Sequence, residues 1–113
     1  MIGWNLALLV GGGLVFAAGC LVPNRWLPAK LPNDKLMHFA AFAVLGLLAL
    51  GQAQDYRQAA AWLAGLTLAG AAIECLQQLV PDRGFSWRDI AANTAGVAFA
   101  GVAAQLYMIL GTN

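Results

Sequence analysis

Four long apolar stretches follow one another along the chain, separated by short segments that contain all of its prolines and most of its charged residues. A helix needs about 20 predominantly apolar residues to cross the hydrocarbon core of a bilayer, and each stretch approaches that length. The pattern predicts transmembrane helices over about residues 2–22, 36–51, 59–80 and 88–110. We therefore expect an all-α fold in which residues 1–113 form one domain, an integral membrane bundle of four transmembrane helices.

Residues at the ends of these stretches indicate where each helix begins and stops. Three prolines between positions 23 and 32 end the first helix, because proline lacks a backbone donor and disfavours helix in the residue before it. Asn33 or Asp34 is a suitable N-cap for the second helix, and Ser86 or Trp87 can open the fourth. The short polar turn after the second helix makes the third helix its antiparallel neighbour.

Composition narrows the class of partner. Hydrophobic residues make up 61% of the chain and charged residues 10%, and the mean hydropathy is +0.71, which a water-soluble fold could not accommodate. A net charge of +1 without any basic run argues against nucleic acid, whose phosphates demand a concentrated basic surface. The two cysteines show no CxxC or Cys/His spacing, and the sequence predicts neither a metal site nor a cofactor.

Small residues recur through the third and fourth helices at a spacing of four. Gly65 and Ala69 form one such pair, and Gly96 and Ala100 form another. In lipid, where no hydrophobic drive pushes helices together, such residues let backbones approach closely. Both pairs therefore predict helix contacts.

Polar residues from distant parts of the chain should meet at one end of the bundle. Up-and-down threading places the first and third loops on the same side of the membrane. Residues three or four apart share a helix face, so Asp34 with His38, and Asp89 with Asn93, each form a polar stripe. The candidate ligand-binding residues at this end are Lys35, His38, Glu74, Gln77, Arg83, Asp89 and Asn93.

Glu74 is the most informative of them, because it lies more than a turn inside the third helix, where an unpaired carboxylate is costly. His38 is the nearest candidate partner, and these two are the candidate catalytic residues if the site performs acid–base chemistry. Lys35 and Arg83 could balance the carboxylates or hold an anion. Arg83 is the preferred anion-binding group, because its planar fork can hold two oxygens.

Each polar residue also has an ordinary structural explanation. Gln77 and Asn93 could connect helices by hydrogen bonds, which are a normal packing device in membranes. Asp89 could be a helix cap, and Lys35 and Arg83 could be interfacial anchors. Convergence of acid, imidazole, amide and guanidinium at one depth favours a functional site, because packing alone needs no such combination.

Three spaced motifs made of these residues resemble the VanZ-like family of small membrane proteins. The motifs are Asp34-Lys35-x-x-His38-Phe39-x-x-Phe42, then Glu74-x-x-Gln77 leading to Pro81-x-Arg83, then Asp89-Ile90-x-x-Asn93-x-x-Gly96. They occur in order between about residues 34 and 101, and the first helix aligns by hydropathy alone. The resemblance implies a four-helix membrane protein from a family named after a determinant of low-level teicoplanin resistance, without an established chemistry.

Three functional hypotheses follow. The first is a membrane protein that binds the headgroup of an anionic lipid or a cell-envelope precursor at this polar end. The second is an accessory or scaffold subunit that packs against other membrane protein subunits. The third is a membrane-embedded acid–base enzyme acting on a lipid-linked substrate, for which the sequence offers no nucleophile elbow, HExxH motif or phosphate loop.

Charge distribution predicts the location and orientation of the chain. We expect membrane lipid as a partner and the bacterial inner (plasma) membrane as the location. Cations at the polar end outnumber Arg57 at the other end, which predicts a cytoplasmic polar end and both termini on the opposite side. The cations at the polar end are Arg25, Lys30, Lys35, Arg83 and Arg88.

Overall fold

The computed structural model describes residues 3–27, 34–81 and 83–111, which form four α-helices and no strand. The helices are α1 (Gly3–Leu21), α2 (Asp34–Leu50), α3 (Tyr56–Gln77) and α4 (Trp87–Gly111), and a 3-10 turn covers Asn24–Trp26. The predicted all-α class and the number of helices are confirmed for this part of the chain. The bounds differ from those predicted by at most three residues.

Caps explain where the bounds differ. The side chain of Asp55 accepts a hydrogen bond from the backbone N–H of Gln58 at 2.9 Å, so α3 begins at Tyr56 and not near residue 59. Ser86 opens α4 in the same way, because its hydroxyl oxygen accepts from the N–H of Asp89 at 3.2 Å. The helix α2 includes Asp34 as its first residue, and Asn33 lies outside the described residues.

Helix length and composition fit a bilayer. Three helices, α1, α3 and α4, are long and apolar enough to cross a membrane. The fourth, α2, has 17 residues, at the short end of the range of about 17 to 25 for a membrane span. Large apolar side chains such as Val15, Leu68 and Tyr107 point away from the protein, which suits a hydrocarbon solvent.

Close packing concentrates between α2 and α4, the most extensive helix pair of the bundle. A Cβ atom added to Gly96 would lie 2.4 Å from the carbonyl oxygen of Phe39, and one added to Gly46 would lie 2.6 Å from the Cβ of Ala100. The predicted role of Gly96 and Ala100 is therefore confirmed. The predicted role of Gly65 was wrong, because an added Cβ there would meet nothing within 4 Å.

The other member of that pair, Ala69, is exposed as well, and α3 makes a close contact with its neighbours at Gly70 instead. An added Cβ at Gly70 would lie 3.1 Å from both the Phe42 ring and the amide nitrogen of Asn93. Small residues on α3 therefore face two directions, and the lipid-facing pair carries no helix contact.

The two ends of the bundle differ in polarity. At the end where α2 stops, Leu9, Leu45 and Ala49 form an apolar core against which Trp62 and Leu66 pack. At the other end, where α2 and α4 begin and α1 and α3 stop, five buried residues are polar or charged. The fold thus places one polar region at one end of an otherwise apolar bundle.

Candidate functional site

Five polar residues are buried together at that end: His38 from α2, Glu74 and Gln77 from α3, and Asp89 and Asn93 from α4. Antiparallel threading brings them to one level, since α3 ends where α2 and α4 begin. We call Lys35, His38, Glu74, Asp89 and Asn93 the polar cluster. The meeting of these residues at one end is what the sequence predicted.

His38 lies at the centre of the polar cluster. Its Nδ1 is 2.7 Å from Oδ1 of Asn93, and its Nε2 is 3.7 Å from Oδ2 of Asp89. An amide oxygen can only accept, so Nδ1–H of His38 is the donor. Asn93 therefore fixes the orientation of the imidazole and directs Nε2 towards the carboxylate of Asp89.

Lys35 forms the outer edge of the polar cluster. Its ammonium donates to Oδ1 of Asp89, and its side chain is 42% exposed while that of Asp89 is 8% exposed. The pair joins α2 to α4 across 54 residues of sequence. Lys35 thus balances a carboxylate, as expected, and remains accessible from outside.

Glu74 is fully buried, with 0% exposure. One oxygen accepts from the backbone N–H of Ser86 at 3.0 Å, and the other has no hydrogen-bond partner among the described residues. The ligand atoms of His38, Glu74 and Asp89 all lie within 4.8 Å of one another. The direct partner of Glu74 is therefore the N-cap of α4 and not His38, the first choice of the sequence analysis.

Aromatic rings form the inner boundary of the polar cluster. The ring of Phe16 meets the ring of His38 edge-on at 5.2 Å and that of Phe42 at 5.6 Å. The amide nitrogen of Asn93 faces Phe42 and Gly70 and has no hydrogen-bond partner within the described part of the chain. The contribution of Phe16 was not predicted, because α1 carries no charged residue that would mark it as part of a site.

Gln77 and Arg83 turn to the end of α1. The amide of Gln77 donates to the carbonyl oxygen of Cys20 at 2.7 Å. The guanidinium of Arg83 donates from Nη2 to Gly19 at 2.7 Å and from Nε to Val22 at 3.1 Å. The carbonyls of Gly19 and Cys20 lie in the last turn of α1, where intrahelical donors are missing, and Val22 follows directly after the helix. The structure thus divides the seven candidate ligand-binding residues into a cluster of five and a pair that holds α1.

Several residues named from the sequence have no described position. The side chain of Asp34 and the residues Lys30 and Asp82 lie outside the described part of the chain. The stripe expected from Asp34 and His38 therefore stays a prediction. So does the anion-binding role of Arg83, whose observed contacts are to backbone carbonyls.

Comparison with known families now adds to this geometry. The family model described as VanZ/LLP1 matches residues 5–110, nearly the whole chain. The chain belongs to the VanZ/LLP1 family. Neither the curated proteins nor the solved structures compared with this VanZ/LLP1 protein gave a match. The match begins inside α1 and reaches α4, so membership includes the first helix, which the motifs alone did not cover.

The three motifs of this VanZ/LLP1 protein meet at the polar end. Lys35 and His38 come from the first motif, Glu74 from the second, and Asp89 and Asn93 from the third. Gly96, the last residue of the third motif, lies so close to α2 that an added Cβ would meet the backbone of Phe39 and Ala43. The motifs therefore combine a packing residue with the polar groups that this packing brings together.

Proposed function

We propose that this VanZ/LLP1 protein lies in the bacterial inner membrane and binds the headgroup of an anionic lipid, or of a lipid-linked envelope precursor, at the polar cluster. The observation that supports binding over simple helix packing is the second carboxylate oxygen of Glu74, which is buried yet makes no hydrogen bond to a described residue. A buried group left unpaired costs about 1–3 kcal/mol, and a headgroup hydroxyl or amine could offset that cost.

The anionic part of the headgroup is assigned to Lys35. Its ammonium donates to Asp89, and its side chain is 42% exposed at the edge of the polar cluster. A phosphate placed there would contact the ammonium from outside, while the uncharged part of the headgroup reaches inward. Lys35 is thus the charged contact and Glu74 the polar one.

An apolar groove between α1 and α2 suits the lipid chain. It has a volume of about 520 Å³, and its lining includes Gly12, Phe16, Val44 and Leu48. Phe16 also contacts the His38 ring, so the groove adjoins the polar cluster. A chain lying in the groove would bring its headgroup to the end of the bundle where Lys35 and Glu74 lie.

The test is native mass spectrometry of the protein released from bacterial membranes. Lys35→Gln removes the ammonium, and Glu74→Gln places an N–H group where the carboxylate would accept. Each should reduce copurifying anionic lipid or precursor several-fold. Arg88→Gln is the matched control, because Arg88 is an exposed cation near the same end and outside the polar cluster.

The outcomes separate the functional classes. Equal lipid occupancy in all four proteins would refute headgroup binding. Protein subunits that copurify with every variant, without bound lipid, would favour the accessory-subunit hypothesis. Chemical turnover of a lipid-linked substrate by wild type, lost in Glu74→Gln, would favour the enzyme hypothesis, since Glu74 and His38 are the candidate acid and base.

A further inference from the structure

The geometry points to a divalent transition-metal site formed by His38, Glu74 and Asp89. Their ligand atoms lie within 4.8 Å of one another, and all three residues are buried. The inference concerns the ion alone and does not depend on whether a lipid headgroup binds. It also departs from the sequence analysis, which predicted no metal site.

The orientation of His38 is the first support. Because Nδ1–H donates to Asn93, the neutral imidazole carries its lone pair on Nε2, which faces Asp89. A lone pair and a carboxylate oxygen 3.7 Å apart repel each other unless a proton or a metal ion lies between them. Histidines that ligate metals commonly donate their other N–H to an oxygen in this manner, which fixes the tautomer.

The unpaired carboxylate oxygen is the second, independent support. Glu74 is fully buried, and its second oxygen has no hydrogen-bond partner among residues 3–27, 34–81 and 83–111. Among the described residues, two buried carboxylates share this small volume with one ammonium, that of Lys35, which pairs with Asp89. A divalent ion would supply the missing positive charge where the acids converge.

The distances also suit a metal ion. A tetrahedral zinc ion with bonds of about 2.0–2.2 Å to nitrogen and oxygen holds its ligand atoms about 3.3–3.6 Å apart. Nε2 of His38 and Oδ2 of Asp89, 3.7 Å apart, are already close to this spacing. The ligand atoms of all three residues lie within 4.8 Å of one another, so Glu74 needs a side-chain adjustment of about an ångström. One imidazole and two carboxylates make a three-residue ligand set for zinc or a similar ion, with a position left open.

Zinc titration of the full chain tests the site. The protein carries a histidine-free tag, is stripped with chelator and is titrated with Zn²⁺ in detergent against a competing indicator. Wild type should bind one equivalent, and its thermal unfolding temperature should rise with Zn²⁺ concentration. The variants His38→Gln, Glu74→Gln and Asp89→Asn should each bind at least about tenfold more weakly.

Two further variants make the result specific. Asn93→Ala keeps all three ligands and removes the acceptor that orients His38, so it should weaken zinc binding about tenfold or more. Asp55→Asn is the matched control, because it makes the same chemical change at the opposite end and asparagine also caps helices well. It should bind zinc as wild type does.

Circular dichroism of each variant separates loss of the site from loss of the fold. Glu74→Gln is the decisive variant, since its amide oxygen can still accept from Ser86. Failure of wild type to bind a stoichiometric ion would overturn the inference. Unchanged zinc affinity in folded Glu74→Gln would also overturn it.

Discussion

At the scale of single residues, the cations Lys35 and Arg83 make different kinds of contact. Lys35 pairs with a carboxylate across the α2–α4 interface and keeps an exposed side. Arg83 donates to two carbonyls at the end of α1, where a cation also complements the negative end of the helix dipole. Its planar guanidinium suits this task, because one side chain reaches two acceptors.

Arg83→Lys should therefore loosen the end of α1. Lysine presents a single ammonium and cannot reproduce both contacts, so Cys20, buried beside these carbonyls, should become more accessible. In a Cys75→Ser background, which removes the exposed thiol, we expect a several-fold faster reaction of Cys20 with a maleimide. Arg88→Lys, an exchange at an exposed position, should leave the rate unchanged.

The predicted anion-binding role of Arg83 gives a different result in the same proteins. If Arg83 binds the headgroup and contributes little to α1, Arg83→Lys would lower the amount of copurifying anionic lipid while Cys20 stays protected. An unchanged maleimide rate would thus contradict the contacts to Gly19 and Val22 as a source of stability.

Gln77 and Gln78 offer a matched pair for the buried amide. Gln77 is buried and holds the carbonyl of Cys20, whereas the adjacent Gln78 is exposed. Gln77→Leu removes this buried hydrogen bond, so the free energy of unfolding should fall by about 1 kcal/mol. Gln78→Leu should change it by less than about 0.5 kcal/mol. Denaturant titration in detergent measures both, and equal values would contradict a structural role for Gln77.

The sequence predicted which polar residues lie close together, but not which groups they form hydrogen bonds with. Depth along each helix follows from the order of helices and loops, so His38, Glu74 and Asp89 had to share one end. Some of the hydrogen-bond partners at this end are backbone groups, whose positions cannot be read from residue types. The N–H of Ser86 that serves Glu74 and the carbonyls that serve Arg83 are of this kind. The latter lie more than 60 residues away in sequence.

At the scale of helices, the same small-residue spacing has two outcomes. Gly96 and Ala100 face α2, while Gly65 and Ala69 face outward. Spacing alone tells which residues share a helix face, and it does not tell which face meets a neighbour. Which face meets a neighbour depends on the direction in which the polar residues of the same helix point. In α4, Gly96 lies one turn from the buried Asn93 and is on the same, buried side.

Gly96→Ala should accordingly destabilise the bundle, because the new Cβ would clash with backbone atoms of Phe39 and Ala43, which cannot move independently of α2. Overpacking of this kind typically costs about 1–3 kcal/mol. Gly65→Ala adds the same methyl group in open space and should cost nothing. Thermal unfolding of the two variants in one detergent compares them directly, and equal stability would contradict the close α2–α4 approach.

At the scale of the whole molecule, charge is distributed unequally between the two ends. Arg25 and Arg88 are exposed at the polar end, and Arg57 is exposed at the other. Lys35 and Arg83 already interact with groups inside the protein, so they contribute less to the retention of their loops on the cytoplasmic side. Together with Lys30 in the first loop, Arg25 and Arg88 still outnumber Arg57, which supports a cytoplasmic polar end.

A pair of reporters fused after Asn113 tests this orientation. Four membrane spans put both termini on one side, opposite the polar end, so a phosphatase that requires export should be active there and a fluorescent protein that requires the cytoplasm should be dark. Replacing Arg25 and Arg88 together by Gln should raise the fraction of molecules whose C-terminus is cytoplasmic, because the loops at the polar end lose exposed cations that favour their retention in the cytoplasm. Arg57→Gln, the control, removes the opposing cation and should leave the wild-type orientation in place. A fluorescent wild-type fusion would reverse the orientation and place the polar cluster on the outer side of the membrane.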